Sequence, residues 1–399
     1  MPTQPLADVS VVELSTMIAG PYAGQMLGDL GADVVKIERP GRGELARGLE
    51  PTLDGESFYY LTANRNKRSL ALDVTSDEGH EIFMDLVESV DVVLENFPPS
   101  FTERYDIDYE NVRERNEDVI YCSISAYGET GPYRTDPGID TTIQALSGAM
   151  STTRDENTPP MRSGVPMNDV FASLYATQGI LTALYSRERT GEGEFIDVSM
   201  LDAGVAGLTT RATYSMVSGE PYPPFGRRHN YFAPEGVYEV GDGEVQLSVV
   251  TDRHWEWFCE AIDAPALLAE ERFETTNSRV RHSDALEEAL TRELREWSAA
   301  ELVETLREAG VPAAPINDTL SVWDHPQVQA REMRRTLDHP TAGAVDVLGF
   351  PVKYGSIDQR IDRHPPLLGE HTEAILSELG YDTDEIARLS DDGAVDTGT

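Results

Sequence analysis

The chain is poor in cysteine and has no long apolar run. Its 399 residues include only two cysteines, Cys122 and Cys259, too few for a disulfide framework or a cysteine-ligated metal site. No stretch approaches the roughly 18 apolar residues that a membrane span needs, and the N-terminus lacks the basic start and apolar core of a signal peptide. We therefore expect a cytoplasmic protein with two buried thiols and no contact with a membrane.

Lysine is also scarce, and acidic residues greatly outnumber basic ones. The sequence has 32 basic and 71 acidic residues, a net charge of −39, and its lysines are Lys36, Lys67 and Lys353. Such a surface repels itself at ordinary ionic strength, whereas at molar salt the Debye length falls to about 3 Å. The charge indicates a salt-loving source. It also argues against a nucleic-acid partner, which would require clustered Lys and Arg.

Several common site motifs are missing. The first strand-like segment continues as residues 15–21, STMIAGP, without the glycines with which a dinucleotide fold approaches a pyrophosphate. A P-loop, an H-E-x-x-H motif and a G-x-S-x-G elbow are absent as well. The eight histidines are scattered, so we expect no metal site and no tightly bound cofactor.

Strand and helix signals alternate through the first half of the sequence. This alternation, with continuous apolar strands, predicts an α/β fold with a mostly parallel, buried sheet. A segment rich in Pro, Gly and Arg at residues 219–234 interrupts it and predicts a linker to a smaller α+β domain. The last ten residues, from Ser390, are predicted to be disordered. The predicted strands of the first half span residues 9–14, 33–38, 91–95, 119–125 and 195–200.

Asp169 immediately precedes an amphipathic helix predicted over residues 170–187. Two roles are open from the residues alone. As an N-cap, its carboxylate would accept a hydrogen bond from a first-turn amide. As a nucleophile, it would be ionised at neutral pH without a partner base, because the ordinary pKa of aspartate is about 3.9.

Motifs spread over nearly the whole chain resemble the family III CoA-transferases, whose superfamily also includes 2-methylacyl-CoA racemases. Each motif is weak alone, but their order is specific. They are AGP at residues 19–21, LGADVVKIE at 30–38, NRNKRSL at 64–70, ENF at 95–97, GETGP at 128–132, GVPMND at 164–169, RTGEGEFIDVSMLDA at 189–203, GVPA at 310–313, HPTAG at 339–343 and PLLGEH at 366–371.

The resemblance implies a large Rossmann-like CoA-binding domain, residues 1–220 together with 330–399, and a small α+β domain, residues 221–329. It implies a homodimer whose subunits interlock like links of a chain. It also implies that Asp169, at the end of the G-V-P-x-x-D motif, attacks an acyl-CoA. A mixed anhydride and then an aspartyl-CoA thioester would carry CoA to a free carboxylic acid.

The resemblance further implies where the CoA thioester, here a substrate, would bind. The matching positions are Met17, Ile18, Arg39, Asn96, Phe97 and Arg104. Lys67 and Arg68 are added because phosphates need cations and because lysine is otherwise rare. For each arginine, pairing with a surface carboxylate is the open alternative. The amides of Gly128, Gly131 and Gly148 are candidates to stabilise the oxyanion.

Two other functions stay open. A racemase needs an acid/base pair, and Ile139 occupies the position of the racemase histidine, which favours the transferase. A non-catalytic CoA-binding subunit is the other alternative, against which the intact Asp169 motif argues.

We expect succinyl-CoA as donor and a small dicarboxylate such as mesaconate as acceptor. Arg227, Arg228 and His229 could bind a second carboxylate, although balancing the acidic surface is as plausible a role. Tyr59 and Tyr60 could line the acyl pocket or belong to the core. Residues 232–236, FAPEG, lack the glycine run of formyl-CoA transferases, which argues against oxalate.

Overall fold

Short runs of Val, Ile and Leu form the central strands, as the sequence predicts. The structure is a computed structural model that describes residues 4–154, 158–224 and 226–398. Its strands are β1 (Ser10–Leu14), β2 (Asp33–Glu38), β3 (Thr52–Leu53), β4 (Glu56–Ser57), β5 (Lys67–Leu72), β6 (Val92–Glu95), β7 (Ile120–Ser125), β8 (Glu194–Ser199), β9 (Glu235–Val240), β10 (Gly243–Ser248), β11 (Ala313–Pro315), β12 (Arg334–His339), β13 (Gly343–Leu348) and β14 (Val395–Asp396).

The helices connect these strands and cover the sheet. They are α1 (Ala19–Asp29), α2 (Phe58–Ala63), α3 (Asp77–Val87), α4 (Pro99–Arg104), α5 (Tyr109–Arg115), α6 (Asp140–Leu146), α7 (Ala149–Thr152), α8 (Met167–Thr190), α9 (Met200–Gly207), α10 (Thr210–Ser218), α11 (Asp252–Ala261), α12 (Pro265–Leu268), α13 (Thr276–Arg281), α14 (Ser283–Leu294), α15 (Ala299–Glu308), α16 (Pro326–Ala330), α17 (Thr372–Glu378) and α18 (Thr383–Asp391). Within the described ranges, no helix is both long and apolar enough to cross a bilayer.

The chain divides into two units. The first comprises residues 1–149, 163–209 and 329–399, and the second comprises residues 150–162 and 210–328. The sequence-based division, with boundaries after residues 220 and 329, differs mainly in that residues 150–162 and 210–220 belong to the second unit. The short segment before α8 and helix α10 therefore pack with the second unit.

The first unit is built on a mostly parallel sheet, which confirms the predicted α/β class. In the described residues its strand order is β14-β5-β2-β1-β6-β7-β8, and only β14 runs antiparallel to its neighbour. Side chains alternate between two cores: Val12 and Leu14 face one, whereas Val11 faces the other, beneath α1 and α8. Continuous apolar strands follow from this burial of both faces.

The C-terminal segment corrects the expectation of disorder from Ser390 onward. Ser390 lies in α18, and Val395 and Asp396 pair with Leu72 and Ala71 at the edge of the sheet. Because this pairing satisfies the edge of β5 and Val395 is buried in the core, the tail gains structure from a distant strand. Local sequence could not predict that contact.

The second unit has its own core. Strands β9, β10 and β11 form an antiparallel sheet, against which α11, α14 and α15 pack around Trp255 and Phe258. The buried guanidinium of Arg279 binds the carbonyls of Ala233 and Phe273 at 2.6 and 2.9 Å. These bonds fix the chain just before β9.

Candidate active site

The carboxyl ends of three neighbouring strands bring most of the expected CoA contacts to one edge of the sheet. Met17 and Ile18 follow β1, Arg39 follows β2, and Asn96 and Phe97 follow β6. Strands β2, β1 and β6 are adjacent, and ligands of open α/β sheets gather beyond such ends. These residues are far apart in the sequence, but the fold brings them to one edge of the sheet.

Asn96 shapes the loop between β1 and α1. Its Oδ1 accepts a hydrogen bond from the main-chain N–H of Thr16 at 2.8 Å, and its Nδ2 donates to the Thr16 carbonyl at 2.9 Å. Met17 follows with a φ of 68°, a left-handed conformation that is uncommon for a residue other than glycine. Its N–H donates to Oε2 of Glu44 at 2.7 Å. The loop is held by side chains from outside its own segment.

Asp169 lies in the first turn of α8, beside the start of α1. The hydroxyl of Ser173, one turn later, is 2.7 Å from the carbonyl of Ala19 and 2.7 Å from that of Asp169. This contact fixes the N-terminal end of α8 against the residues that follow the β1–α1 loop. Asp169, Met17 and Ile18 therefore belong to one neighbourhood of the first unit.

Asp169 is not an N-cap, because α8 begins at Met167 and not at residue 170. The capping carboxylate belongs to Asp140, whose Oδ1 accepts a hydrogen bond from the N–H of Asn168 at 2.9 Å. At the other end, α8 stops at the left-handed Gly191 after Arg187 and Arg189, as the cationic and glycine signals predict. The carboxylate of Asp169 is thus not needed for capping.

Burial raises the pKa of Asp169 to about 7, and the charge of Asp140 adds to the effect. This corrects the expectation of a fully ionised side chain at neutral pH, because the raised pKa of Asp169 favours the protonated form. The positive end of the α8 dipole favours the anion and opposes the desolvation. A half-buried carboxylate that is poorly solvated in its charged form is a more reactive nucleophile than one in water.

Tyr59 shares this environment. Burial raises its pKa, and the carboxylates of Asp169, Asp140 and Glu44 raise it further. Its half-buried ring therefore lies within electrostatic reach of Asp169, and its phenol stays protonated. Tyr60, in contrast, is fully buried and donates to Glu38 Oε1 at 3.2 Å, so it belongs to the core.

The remaining basic residues separate into buried and exposed groups. Lys67 lies inside the protein, where its ammonium donates to Glu13, Asn64 and the Pro21 carbonyl at 3.0, 2.9 and 2.8 Å, which leaves no donor for a phosphate. Arg68 is paired with Asp33 and Glu378.

Arg39 and Arg104 are both exposed. The guanidinium of Arg104 lies 5.3 Å from the centre of the Tyr105 ring. These two cations therefore suit the CoA phosphates better than Lys67 or Arg68 does.

The expected dicarboxylate contacts all lie in the second unit and are engaged there. Arg227 pairs with Glu244 at 2.6 Å, and Arg228 pairs with Asp284 and Glu287 at 2.9 and 3.1 Å. Burial lowers the pKa of His229, which favours a neutral imidazole. A substrate carboxylate would have to compete with these acidic partners.

The glycine candidates for the oxyanion site differ in their surroundings. The N–H of Gly128 already donates to Ser125 Oγ at 2.8 Å, so it is not available to an oxyanion. Gly131 has open space around the position of a side chain, and Gly148 has a φ of 91°. Ile139, at the racemase position, precedes α6 with a side chain 66% exposed and offers no ionisable group.

Sequence reasoning missed Asp140 and Glu44. Asp140 follows the racemase position Ile139 in the sequence, but nothing local links it to Asn168, 28 residues away. Glu44 lies in an irregular segment that no motif marks. Both act on main-chain amides of distant segments, so only the fold reveals them.

Fold and site together define a class of enzyme. A sequence model of CoA-transferase family III matches residues 6–372, and the chain belongs to that family. It is a CoA-transferase.

Its relatives match along almost their full length. The succinyl-CoA:mesaconate CoA-transferase of Haloarcula marismortui is 39% identical and covers 97% of this chain and 99% of its own. The succinate–glutarate CoA-transferase of Agrobacterium fabrum is 36% identical, with 94% and 96% covered. The human succinyl-CoA:glutarate CoA-transferase is 35% identical, with 98% and 90% covered.

Solved structures share the fold. The crystal structure of a CAIB/BAIF family protein from Brucella suis has a TM-score of 0.87 at 35% identity, covering 95% of this chain and 100% of its own. The structure of Rv3272 from Mycobacterium tuberculosis has a TM-score of 0.83 at 30% identity, with 94% and 100% covered.

Proposed function

We propose that Asp169 is the covalent nucleophile of this CoA-transferase. The observation that carries the proposal is a carboxylate free of capping duty, half-buried at the start of α8 and fixed beside the β1–α1 loop through Ser173 and Ala19. A carboxylate in this position can attack a thioester whose CoA portion lies along the carboxyl ends of the strands.

The reaction then balances in two exchanges. The Asp169 carboxylate attacks the thioester carbonyl, the C–S bond breaks, and CoA leaves as a thiolate from a mixed anhydride. The thiolate attacks the aspartyl carbonyl, which forms an aspartyl-CoA thioester and releases the donor acid. The acceptor carboxylate repeats the two steps in reverse. The anhydride must be kept from water, which the half-buried position of Asp169 supports.

CoA would lie over the edge formed by β2, β1 and β6. We propose contacts with Met17, Ile18, Asn96 and Phe97, with Arg39 and Arg104 supplying charge for the phosphates. Exposed guanidinium groups match phosphate oxygens well. Lys67 would support this edge from within the protein, whereas Arg68, opposite Val35 and paired with Asp33, lies toward the amino end of β2.

We propose succinyl-CoA as donor and a small dicarboxylate such as mesaconate as acceptor. Support comes from the names of the relatives, which act on mesaconate, glutarate and D-citramalate with succinyl-CoA or succinate. The relative named for oxalate, from Acetobacter aceti, uses acetyl-CoA and is 34% identical. Arg227, Arg228 and His229 would bind the second carboxylate, and Tyr59 would border the acyl group.

One experiment tests both the chemistry and the acids. The purified enzyme is incubated at high salt with succinyl-CoA and, in turn, mesaconate, glutarate, citramalate, oxalate and butyrate, and the CoA esters are identified by mass spectrometry. We expect mesaconyl-CoA to form fastest and Asp169→Ala to abolish all transfer. Near-normal turnover by Asp169→Ala would exclude the nucleophile, and binding of CoA without any transfer would indicate a non-catalytic subunit.

Trapping locates the covalent intermediate. Hydroxylamine added during turnover should label the peptide that contains Asp169, because it cleaves acyl and thioester bonds to a carboxyl. In deuterated water, a 2-methylacyl-CoA should gain no deuterium at the α-carbon. Deuterium incorporation would favour the racemase instead.

We further propose an interlocked homodimer in a cytoplasm of high salt. A groove of about 570 Å³ in the first unit is lined by apolar side chains that include Leu174, Tyr185, Val352 and Tyr354, all of them substantially exposed. Such a surface suits burial against a second subunit. Light scattering at 2 M salt should give twice the chain mass of 44.0 kDa, and a monomer at micromolar concentration would exclude the dimer.

A further inference from the structure

Two of the three lysines of this chain are completely buried, side by side, beneath the start of α1. Lys36 and Lys67 have no exposed surface, and neither has Glu13, which lies between them. Glu13 contacts both ammonium groups, at 3.1 Å for Lys36 and 2.7 Å for Lys67. Burying charges is costly unless they are paired and hydrogen-bonded, so a cluster of this kind requires a physical reason.

The helix above the cluster leaves room for it. A Cβ atom on Gly24 of α1 would lie 1.9 Å from Glu13 Oε2, so only glycine lets the helix approach. Glu13 and Lys36 are directly opposite each other on β1 and β2. A lysine suits this space because its ammonium is compact, whereas the planar fork of an arginine needs more room. This explains lysine at two positions in a protein that otherwise uses arginine.

Lys36 extends the cluster to the β1–α1 loop. Its Nζ donates to the Ser15 carbonyl at 2.7 Å and contacts Glu44 Oε1 at 3.0 Å. The other oxygen of Glu44 accepts the N–H of Met17. The Ser15 hydroxyl donates to Glu13 Oε1 at 2.7 Å. The Ser15 carbonyl and the Met17 N–H are therefore both held by one buried ion pair.

Thr16, the residue between them, is held by a different side chain. Both main-chain polar groups of Thr16 are bound by Asn96, and Met17 keeps its left-handed φ of 68°. Such a conformation is unfavourable for a residue other than glycine and persists only where its surroundings impose it. Without Glu44, the loop would lose the bond that fixes its strained residue.

We propose that Lys36 and Glu44 are positioning residues that hold the Ser15–Met17 loop in the shape that receives CoA. The inference rests on the proposed function, since it assigns CoA to this loop. Because Lys36 and Glu44 are both buried, the ion pair is not placed to contact substrate itself. It acts through the Met17 N–H and the Ser15 carbonyl, which it keeps in place before CoA arrives and so reduces the ordering cost of binding.

Two substitutions of Glu44 separate positioning from general stability. Glu44→Gln loses the charge but keeps a carbonyl oxygen for the Met17 N–H, whereas Glu44→Ala loses both. Each variant removes the negative charge that pairs with the buried Lys36, so both should lower the midpoint of urea unfolding. We expect only Glu44→Ala to weaken binding of free CoA, by about tenfold, measured by calorimetry at 2 M salt.

The control is Glu88→Ala, which removes an exposed partner of Arg115 in the same unit and should change neither quantity. In steady state, Glu44→Ala should raise KM for succinyl-CoA more than it lowers kcat. If Glu44→Ala proves insoluble, Glu44→Asp replaces it, because the shorter side chain keeps its charge near Lys36 but draws back from Met17. It should bind CoA more weakly than Glu44→Gln.

Equal CoA affinity in Glu44→Ala and the wild type, or CoA affinity that simply follows stability in all variants, would overturn the positioning role. Failure of the proposed function is distinguishable from this. An inactive wild type that binds CoA, with weaker binding in Glu44→Ala alone, would retain the loop assignment and reject the transferase chemistry.

Discussion

The carboxylate of Asp140 accepts the N–H of Asn168 at 2.9 Å, while Asn168 Nδ2 donates to the Asp140 carbonyl at 3.2 Å. This reciprocal pair joins the first turn of α6 to the first turn of α8, one residue before Asp169. Asp140 consequently has two effects on Asp169. It fixes the start of the helix that carries Asp169, and its charge makes ionisation of Asp169 harder.

The pH dependence of transfer should follow Asp169. The anion is the attacking form, and the pKa of Asp169 is raised to about 7. We therefore expect kcat/KM for succinyl-CoA to fall as the pH drops through about 7, since this parameter reports groups of the free enzyme. The measurement is a pH profile between 5 and 9 at constant high salt.

Asp140→Asn tests the electrostatic cause. The substituted amide keeps an oxygen for the Asn168 N–H but removes the like charge, so the midpoint of the profile should move to lower pH. Asp8→Asn, at an exposed position, is the control and should leave the midpoint unchanged. A midpoint that stays near 7 in Asp140→Asn would mean that burial alone raises the pKa of Asp169.

Replacing Asp169, the proposed nucleophile, should stabilise the folded protein. The folded-state pKa of Asp169 lies above its unfolded value, so the folded state binds the extra proton, and stability falls as the pH rises from about 4 to about 7. Asn carries no charge and escapes this cost. One pKa unit corresponds to about 1.4 kcal/mol, and the α8 dipole offsets part of the penalty, so Asp169→Asn should gain about 2–4 kcal/mol at pH 8.

Urea unfolding at pH 8 and pH 5 measures this difference. The gain should shrink at pH 5, where the wild type is mostly protonated at Asp169. Asp8→Asn removes the same formal charge from the acidic surface, so a gain equal to that of Asp8→Asn would reflect net charge and not the buried site. Stability lost at the catalytic position for the sake of activity is a common pattern.

Sequence patterns anticipated features that depend on local chemistry. The apolar run from Val11 to Leu14 predicted a buried strand. Gly191, after Arg187 and Arg189, predicted the end of α8. Both succeed because apolar runs and helix stops are local signals. Motif resemblance singled out Asp169, whose role as the nucleophile stays a prediction. Lys67 was placed among the phosphate contacts because lysine is rare in this chain and this one lies in a motif. In the structure, the same rare lysine belongs to a buried ion cluster with Glu13.

Long-range contacts could not be anticipated from local signals. Asp140 caps a helix 28 residues away, and Val395 completes a sheet beside Leu72. The alternative that Asp169 caps the helix is wrong because α8 begins at Met167, three residues before the predicted start at residue 170. A shift that small, ordinary for boundaries read from sequence, decides which carboxylate caps the helix.

Salt should stabilise this enzyme. The net charge of −39 makes the folded surface repel itself, and raising KCl from 0.1 to 2 M shortens the Debye length from about 10 Å to roughly 2–3 Å. We expect the thermal midpoint to rise by more than about 10 °C, since 1 kcal/mol corresponds to a few degrees in a protein of this size. A midpoint that is unchanged or lower in KCl would contradict the expectation of a salt-adapted surface.

Arg228 offers a direct test of dicarboxylate recognition. Its side chain is 38% exposed, and its guanidinium is shared between Asp284 and Glu287. It could therefore turn to a substrate carboxylate only by giving up part of these contacts. If it does, Arg228→Ala should raise KM for mesaconate about tenfold, the size of one charge-assisted hydrogen bond, and leave KM for butyrate unchanged. Arg227→Ala, which loses the pair with Glu244, should act in the same direction.

Arg272→Ala is the matched control, because it removes an exposed arginine paired with Glu270 in the same unit. An equal rise in KM for all three variants would assign the effect to the general charge of the surface, and no rise in either Arg227→Ala or Arg228→Ala would leave these residues as partners of the surrounding acids alone.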